Sequence, residues 1–232
     1  MWPGCSGATS TRWRTTVASP PSSGSSTGVY DGFVSRHLNR RFSRPIARAL
    51  AKTPATPNQV SAVSFLMAGG VLYLFAAGAP IWAGLLAQAC SIVDGVDGDL
   101  ARVKNEASRF GGFLDAVLDR YTDAIILLGL TIWAASASDG LLPWAAGFAA
   151  LSGSFVVTYT RARIEDSRRT MFDRGLSSLA SRDVRLLVVM IGAIAGQWEP
   201  IAGTATLLVL AALTNAIVVV RLVAARAALR ED

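Results

Sequence analysis

Apolar residues along the chain gather into six runs, near 59–79, 81–103, 110–136, 142–162, 184–198 and 201–224. Several are about twenty residues long, the length a helix needs to cross the hydrocarbon core of a bilayer. The pattern predicts an all-α integral membrane protein with six transmembrane helices. The fifth run is the shortest and holds the Gly-rich "MIGAIAG"; small residues also recur in "MAGG" and "GTAT", which suits close helix packing in lipid. Ahead of the runs, "YDGFVSRHLNRRFSRPIARALAK" interleaves Arg with Phe33, Leu38, Phe42, Ile46 and Leu50. It reads as an amphipathic helix lying on the membrane surface and bent at Pro45, with "TPATPNQ" breaking the pattern after it. The expected organisation is a disordered Ser/Thr/Gly/Pro-rich head at 1–29 and a juxtamembrane amphipathic helix with its turn at 30–56. A six-helix transmembrane catalytic domain at 57–226 and a cytoplasmic tail at 227–232 complete it.

Composition agrees with insertion in a membrane: 52% of the 232 residues are hydrophobic and 16% charged, where a soluble domain is about a quarter charged. The formal charge of +6 does not mark a nucleic-acid binder, because the basic residues keep to particular connections. Arg36, Arg40, Arg41, Arg44, Arg48 and Lys52 precede the first run, Arg102, Lys104 and Arg109 lie between the second and third, and Arg161 to Arg185 lie between the fourth and fifth. Arg221, Arg226 and Arg230 follow the sixth, whereas "GAP", "SASDG" and "QWEP" hold no Lys or Arg. The positive-inside rule then puts both termini in the cytoplasm and the protein in the cell membrane as a multi-pass chain. Cys5 and Cys90 have neither disulfide nor metal-ligand spacing, and "MWPGCSGATSTRWRTT" has no apolar core of a signal peptide.

Against this background the stretch "SIVDGVDGDLARVKNEASRFGGFLDAVLDR" (91–120) is anomalous. On a helix Asp94, Asp97, Gly98, Ala101 and Arg102 fall on one stripe, and Gly111, Asp115 and Asp119 on another. The short turn "KNEASR" predicts that the two helices are antiparallel neighbours with their acidic stripes facing; Asp99 falls off its stripe. Carboxylates converging in a medium of low dielectric repel unless a cation is present, and an oxygen-only ligand set points to Mg²⁺, Mn²⁺ or Ca²⁺ rather than zinc. Two such ions clamp a pyrophosphate, small residues let a ligand approach the backbone, and Arg102 offers a phosphate contact. Intramembrane aspartates also serve as structural ion pairs or proton relays, but four on two facing stripes with glycines between them favour a site. An EF-hand is excluded, since the third and fifth positions from Asp94 are Val96 and Gly98.

This stretch resembles the signature of the CDP-alcohol phosphotransferases, D-x2-D-G-x2-A-R-x8-G-x3-D-x3-D, and matches it without departure. The resemblance implies that Asp94, Asp97, Asp115 and Asp119 are metal ligands and that Asp119 is also the catalytic base. It implies nucleotide contacts at Gly98, Ala101, Arg102 and Gly111, a supporting contact at Asn58 in "TPNQ", and a homodimer. The implied reaction is attack of an acceptor hydroxyl on the β-phosphorus of a CDP-alcohol with release of CMP, assisted by Mg²⁺ or Mn²⁺, with two ions expected.

Beyond the signature, Arg161 and Arg163 at the end of the fourth run and Arg182 and Arg185 at the start of the fifth are candidates for an acceptor phosphate. Arg168, Arg169 and Arg174 read as ordinary topogenic charge. "TPNQVS", "RFGGFLDAVLDRYTDA" and "SRDVRLL" look most like the di-myo-inositol phosphate phosphate synthases, which implies CDP-inositol as donor and inositol 1-phosphate as acceptor. Many of those enzymes carry a cytidylyltransferase domain; a 29-residue head has no room for one, so the donor is expected from a separate protein. The alternative within the family is a phospholipid synthase that uses CDP-diacylglycerol, like those making phosphatidylinositol phosphate. Outside the family, a cation transporter would give no reason for Arg102 and the small residues on the acidic stripe. A membrane prenyltransferase would need a second acidic motif.

Overall fold

The structure, a computed structural model, describes residues 39–138, 140–163 and 181–228. The expected head, residues 30–38 of the amphipathic segment, Arg168, Arg169, Arg174 and the last residues of the tail lie outside this set. The described residues form seven α-helices and no strand: α1 (Arg40–Leu50), α2 (Pro57–Ala76), α3 (Pro80–Lys104), α4 (Arg109–Ser136), α5 (Leu142–Arg163), α6 (Arg182–Ala195) and α7 (Ala202–Ala228). Each apolar run coincides with one helix from α2 to α7. By length and composition α2, α5 and α7 can cross a membrane. Their outward side chains suit lipid better than water: Leu66 is 71% and Phe148 74% exposed. Helices α3 and α4 are long enough, at 25 and 28 residues, but carry several charged residues. Helix α6 has only 14 residues, about 21 Å at the helical rise, against a hydrocarbon core of about 30 Å.

The helix ends follow from local chemistry. Thr56 and Gln59 form a reciprocal capping box with Pro57 at the first helical position of α2, which satisfies donors that the first turn leaves unpaired. Helix α3 closes at Asn105, the one described non-glycine residue with positive φ, 55°, while the Glu106 amide donates to the Ala101 carbonyl at 3.0 Å. Asn tolerates the left-handed conformation such a closure needs. Ser108 then caps α4 by accepting from the Gly111 amide at 2.9 Å. Lys104 Nζ reaches the carbonyls of Thr53 and Ala55, at 2.8 and 2.6 Å, and ties the α1–α2 turn to the end of α3.

Helices α2 to α7 share one core, with Phe75, Ile126, Leu130, Val189, Leu207 and Leu210 almost fully buried. Phe75 stacks on Trp133 with centroids 5.8 Å apart. Close approach relies on glycines set against threonines: a Cβ at Gly147, Gly153 or Gly192 would overlap Thr131, Thr214 or Thr206. Each threonine donates its hydroxyl to a carbonyl in the preceding turn of its own helix, at 2.7 to 2.8 Å. The polar group is satisfied without reaching across, and the neighbour's backbone packs directly on the side chain.

Helices α3 and α4 make few close backbone contacts with each other, whereas α2 packs against both; the acidic stripes of α3 and α4 nevertheless face one another as expected. The small side chains at positions 98, 101 and 111 leave a cavity among α2, α3 and α4. Helix α1 packs on α3 through Ser43 and Ala47, 1% and 0% exposed. It continues through Pro45 rather than ending there.

Candidate active site

The aspartate stripes meet across the gap between α3 and α4. Carboxylate oxygens of Asp94, Asp115 and Asp119 lie within 4.8 Å of one another, a grouping that can hold a metal ion. Asp97, one turn on from Asp94, is buried and accepts from the Ser61 hydroxyl of α2 and its neighbouring Gly98 amide. Among the described residues the site is therefore acidic, with carboxylate oxygens as its grouped ligand atoms, and fits a hard divalent cation by the chemistry of its donors.

A cavity of about 320 Å³ opens beside this cluster. Its walls include Asn58 of α2, Asp97, Gly98, Ala101 and Arg102 of α3, and Gly111 and Asp115 of α4. A Cβ at Gly111 would lie 3.0 Å from Ser108 Oγ and 3.5 Å from Asn58 Oδ1, so a side chain there would fill the space between α2 and α4. The capping box explains Thr56 and Pro57, but Asn58 has no side-chain hydrogen bond among the described residues and faces the cavity.

The candidate arginines divide. Arg182 Nη1 pairs with Asp94 and with Asp119, the latter at 2.6 Å, and its Nε donates to Asp123 Oδ1 at 3.1 Å. Arg185 donates from Nη2 to Asp123 Oδ2 at 2.7 Å. Each keeps one buried guanidinium nitrogen without a partner, Nη2 of Arg182 and Nη1 of Arg185. Arg161 and Arg163 occupy the exposed last turn of α5 and do not line the cavity.

Several residues at the site escaped the sequence reading. Asp123 is only 5% exposed and bridges the two arginines; it continues the i, i+4 progression from Gly111 through Asp115 and Asp119. Asp99, off the stripe, is buried between Ser43, which donates to it at 2.8 Å, and Arg102, which does so at 2.5 Å. Arg102 is thus ion-paired as well as being a wall of the cavity. Asn39, Ser91 and Asp183 form a second polar knot, with Asn39 Nδ2 donating to Ser91 at 2.9 Å and to Asp183 at 2.7 Å. It joins the start of α1 to α3 and α6.

Comparison with known proteins agrees with this arrangement. The profile of the CDP-alcohol phosphatidyltransferase family matches residues 54–225. A bifunctional IPC transferase and DIPP synthase of Rubrobacter xylanophilus is 46% identical over 194 residues, 84% of this chain, and the chain spans 42% of that relative's length. The phosphatidylinositol phosphate synthase of Corynebacterium glutamicum is 37% identical over 184 residues, covering 78% of this chain and 82% of that protein. Among solved structures, phosphatidylinositol phosphate synthase of Mycobacterium tuberculosis with CDP-DAG bound superposes with a TM-score of 0.66 at 29% identity, covering 78% of this chain and 92% of that one. The same enzyme has also been solved in complex with manganese and citrate. With the family profile matching residues 54–225 and the signature intact in sequence, the chain belongs to the CDP-alcohol phosphatidyltransferase family.

Proposed function

We propose that the protein is a membrane-embedded, metal-dependent CDP-alcohol phosphotransferase, with six spans, both termini in the cytoplasm and its cavity open to the cytoplasmic face. The topology rests on the basic residues, which stand at the ends of α1, α3, α5 and α7 and the starts of α4 and α6. The observation that carries the chemistry is that Asp115 belongs both to the carboxylate cluster and to the cavity wall. A nucleotide seated against Gly98, Ala101 and Gly111, and held by Arg102 and Asn58, would present its pyrophosphate to the aspartates.

A divalent cation, or a pair, held by Asp94, Asp97, Asp115 and Asp119 supplies charge neutralisation at the transferring phosphoryl group. The chain's own residues do the rest. Arg182 and Arg185 have unpaired donors for an acceptor phosphate. Asp119 takes the proton of the acceptor hydroxyl as its oxygen bonds to the β-phosphorus; the bond from that phosphorus to the bridging oxygen breaks and CMP leaves. For Asp119 to act as base, Arg182 must release it, which acceptor phosphate would promote by offering the guanidinium a second anion.

The preferred substrates are CDP-inositol and inositol 1-phosphate, giving a phosphorylated di-myo-inositol phosphate. Support comes from the motifs shared with that group and from the Rubrobacter relative. The likeness to synthases of phosphatidylinositol phosphate, one solved with CDP-DAG, supports the second reading, a lipid donor. Purified protein with Mg²⁺ and inositol 1-phosphate, given CDP-inositol or CDP-diacylglycerol in parallel, is expected to release CMP with the first donor and to lose that activity to a chelator. Release with the lipid donor alone would reject the substrate assignment, and release with neither would reject the enzymatic reading.

A further inference from the structure

Arg102 has a second side. Between α1 and the last turns of α3 lies another cavity, of about 230 Å³, lined by Arg44, Ala47, Arg48, Asp99, Arg102 and Val103. Three guanidinium groups meet a single carboxylate there, and both oxygens of that carboxylate are already engaged by Ser43 and Arg102. Arg44 and Arg48 have no ion pair among the described residues. They stand one turn apart on the same face of α1. That helix is not a loose arm: Ser43 and Ala47 are sealed against α3, and Asn39 is bonded to Ser91 and Asp183. The helix that carries both arginines is therefore fixed in place, with their exposed side chains free to close on a ligand. On the other flank of α1, Phe42 and Ile46 are 49% and 41% exposed, where an amphipathic helix meets the membrane surface.

We propose that this cleft is a second anion site, taking a phosphate group between Arg44, Arg48 and Arg102, and separate from the nucleotide cavity with which it shares Arg102. Guanidinium forks match phosphate oxygens bidentately. The phosphate is either the headgroup of a membrane lipid or a free phosphate, since both present the same oxygens. Because Arg102 borders both cavities, occupancy of the cleft and of the nucleotide cavity are thermodynamically linked, and the linkage is reciprocal.

The test is a binding measurement and needs no turnover, so its failure is distinct from failure of the proposed reaction. The full chain is titrated in an uncharged detergent with inorganic phosphate, and its binding of cytidine diphosphate is compared in phosphatidylcholine nanodiscs with and without phosphatidic acid. R44A/R48A is compared with the parent and with R44K/R48K, which keeps the charge. The expected result is that R44A/R48A weakens one probe by about ten-fold or more, that R44K/R48K recovers part of the loss, and that the melting temperatures agree. Saturation by inorganic phosphate in detergent that R44A/R48A weakens identifies the free anion; a response to phosphatidic acid alone that R44A/R48A weakens identifies the lipid. Equal responses of the parent and R44A/R48A to both probes would overturn the proposal, as would a parent that responds to neither. If R44A/R48A fails to fold, Arg44→Gln alone decides on the same readouts.

Discussion

Asp119 stands at the junction of two demands, as a member of the carboxylate cluster and as the partner of Arg182 at 2.6 Å. Asp119→Asn keeps the shape but neither the charge nor the basicity. It is expected to abolish CMP release while largely sparing donor binding, measured by calorimetry with cytidine diphosphate; retained turnover would remove Asp119 as the base. Arg182→Ala frees Asp94 and Asp119 and removes the proposed phosphate contact, so the KM for a phosphorylated acceptor should rise by about ten-fold or more while that for the donor changes little. An unchanged acceptor KM would leave Arg182 a purely structural counter-charge. Fixed spacing made Asp94, Asp97, Asp115 and Asp119 legible, since period and chemistry coincide there. Asp123 lay on the same stripe, but its signal ended where the signature does. Asp99 could not be read from periodicity, because its partner Ser43 comes from a helix 56 residues earlier, and sequence spacing does not report which helices touch.

At the scale of elements, the apolar runs predicted where helices lie but not how they associate. The short link between α3 and α4 reads as a sign of antiparallel packing. The side chains decide the geometry: small residues there border an open cavity, with α2 forming one of its walls. The glycine–threonine contacts show the opposite case, in which small residues draw helices together. Gly192 is the clearest, because any Cβ there would run into Thr206 of α7. Gly192→Val should destabilise the detergent-solubilised protein by about 1–3 kcal/mol through overpacking, visible as a lower melting temperature, and Thr206→Ala in the same chain should recover part of the loss. A Gly192→Val protein as stable as the parent would show that α6 and α7 have room to separate.

For the whole molecule, the proposed topology makes a prediction that does not depend on substrate. Cys90 is buried and free, whereas Cys5 is a natural reporter near the beginning of the chain, and Asp232→Cys supplies one near its end. With both termini in the cytoplasm, a membrane-impermeant thiol reagent should label neither in intact cells and both after lysis; labelling of one terminus alone would require an odd number of spans. Two arginines that pair with the acidic site come from α6, their carboxylate partners lying 59 to 88 residues earlier in the chain. During synthesis Asp94, Asp115, Asp119 and Asp123 therefore leave the ribosome well before Arg182 and Arg185. On the proposed topology, the nascent amino-terminal half must be inserted with its acidic cluster compensated only in part, by Arg120 beside Asp119. Its maturation is conditional on the second half, so a chain interrupted before α6 is expected to become a substrate for membrane quality control even though its five helices, α1 to α5, already pack on one another.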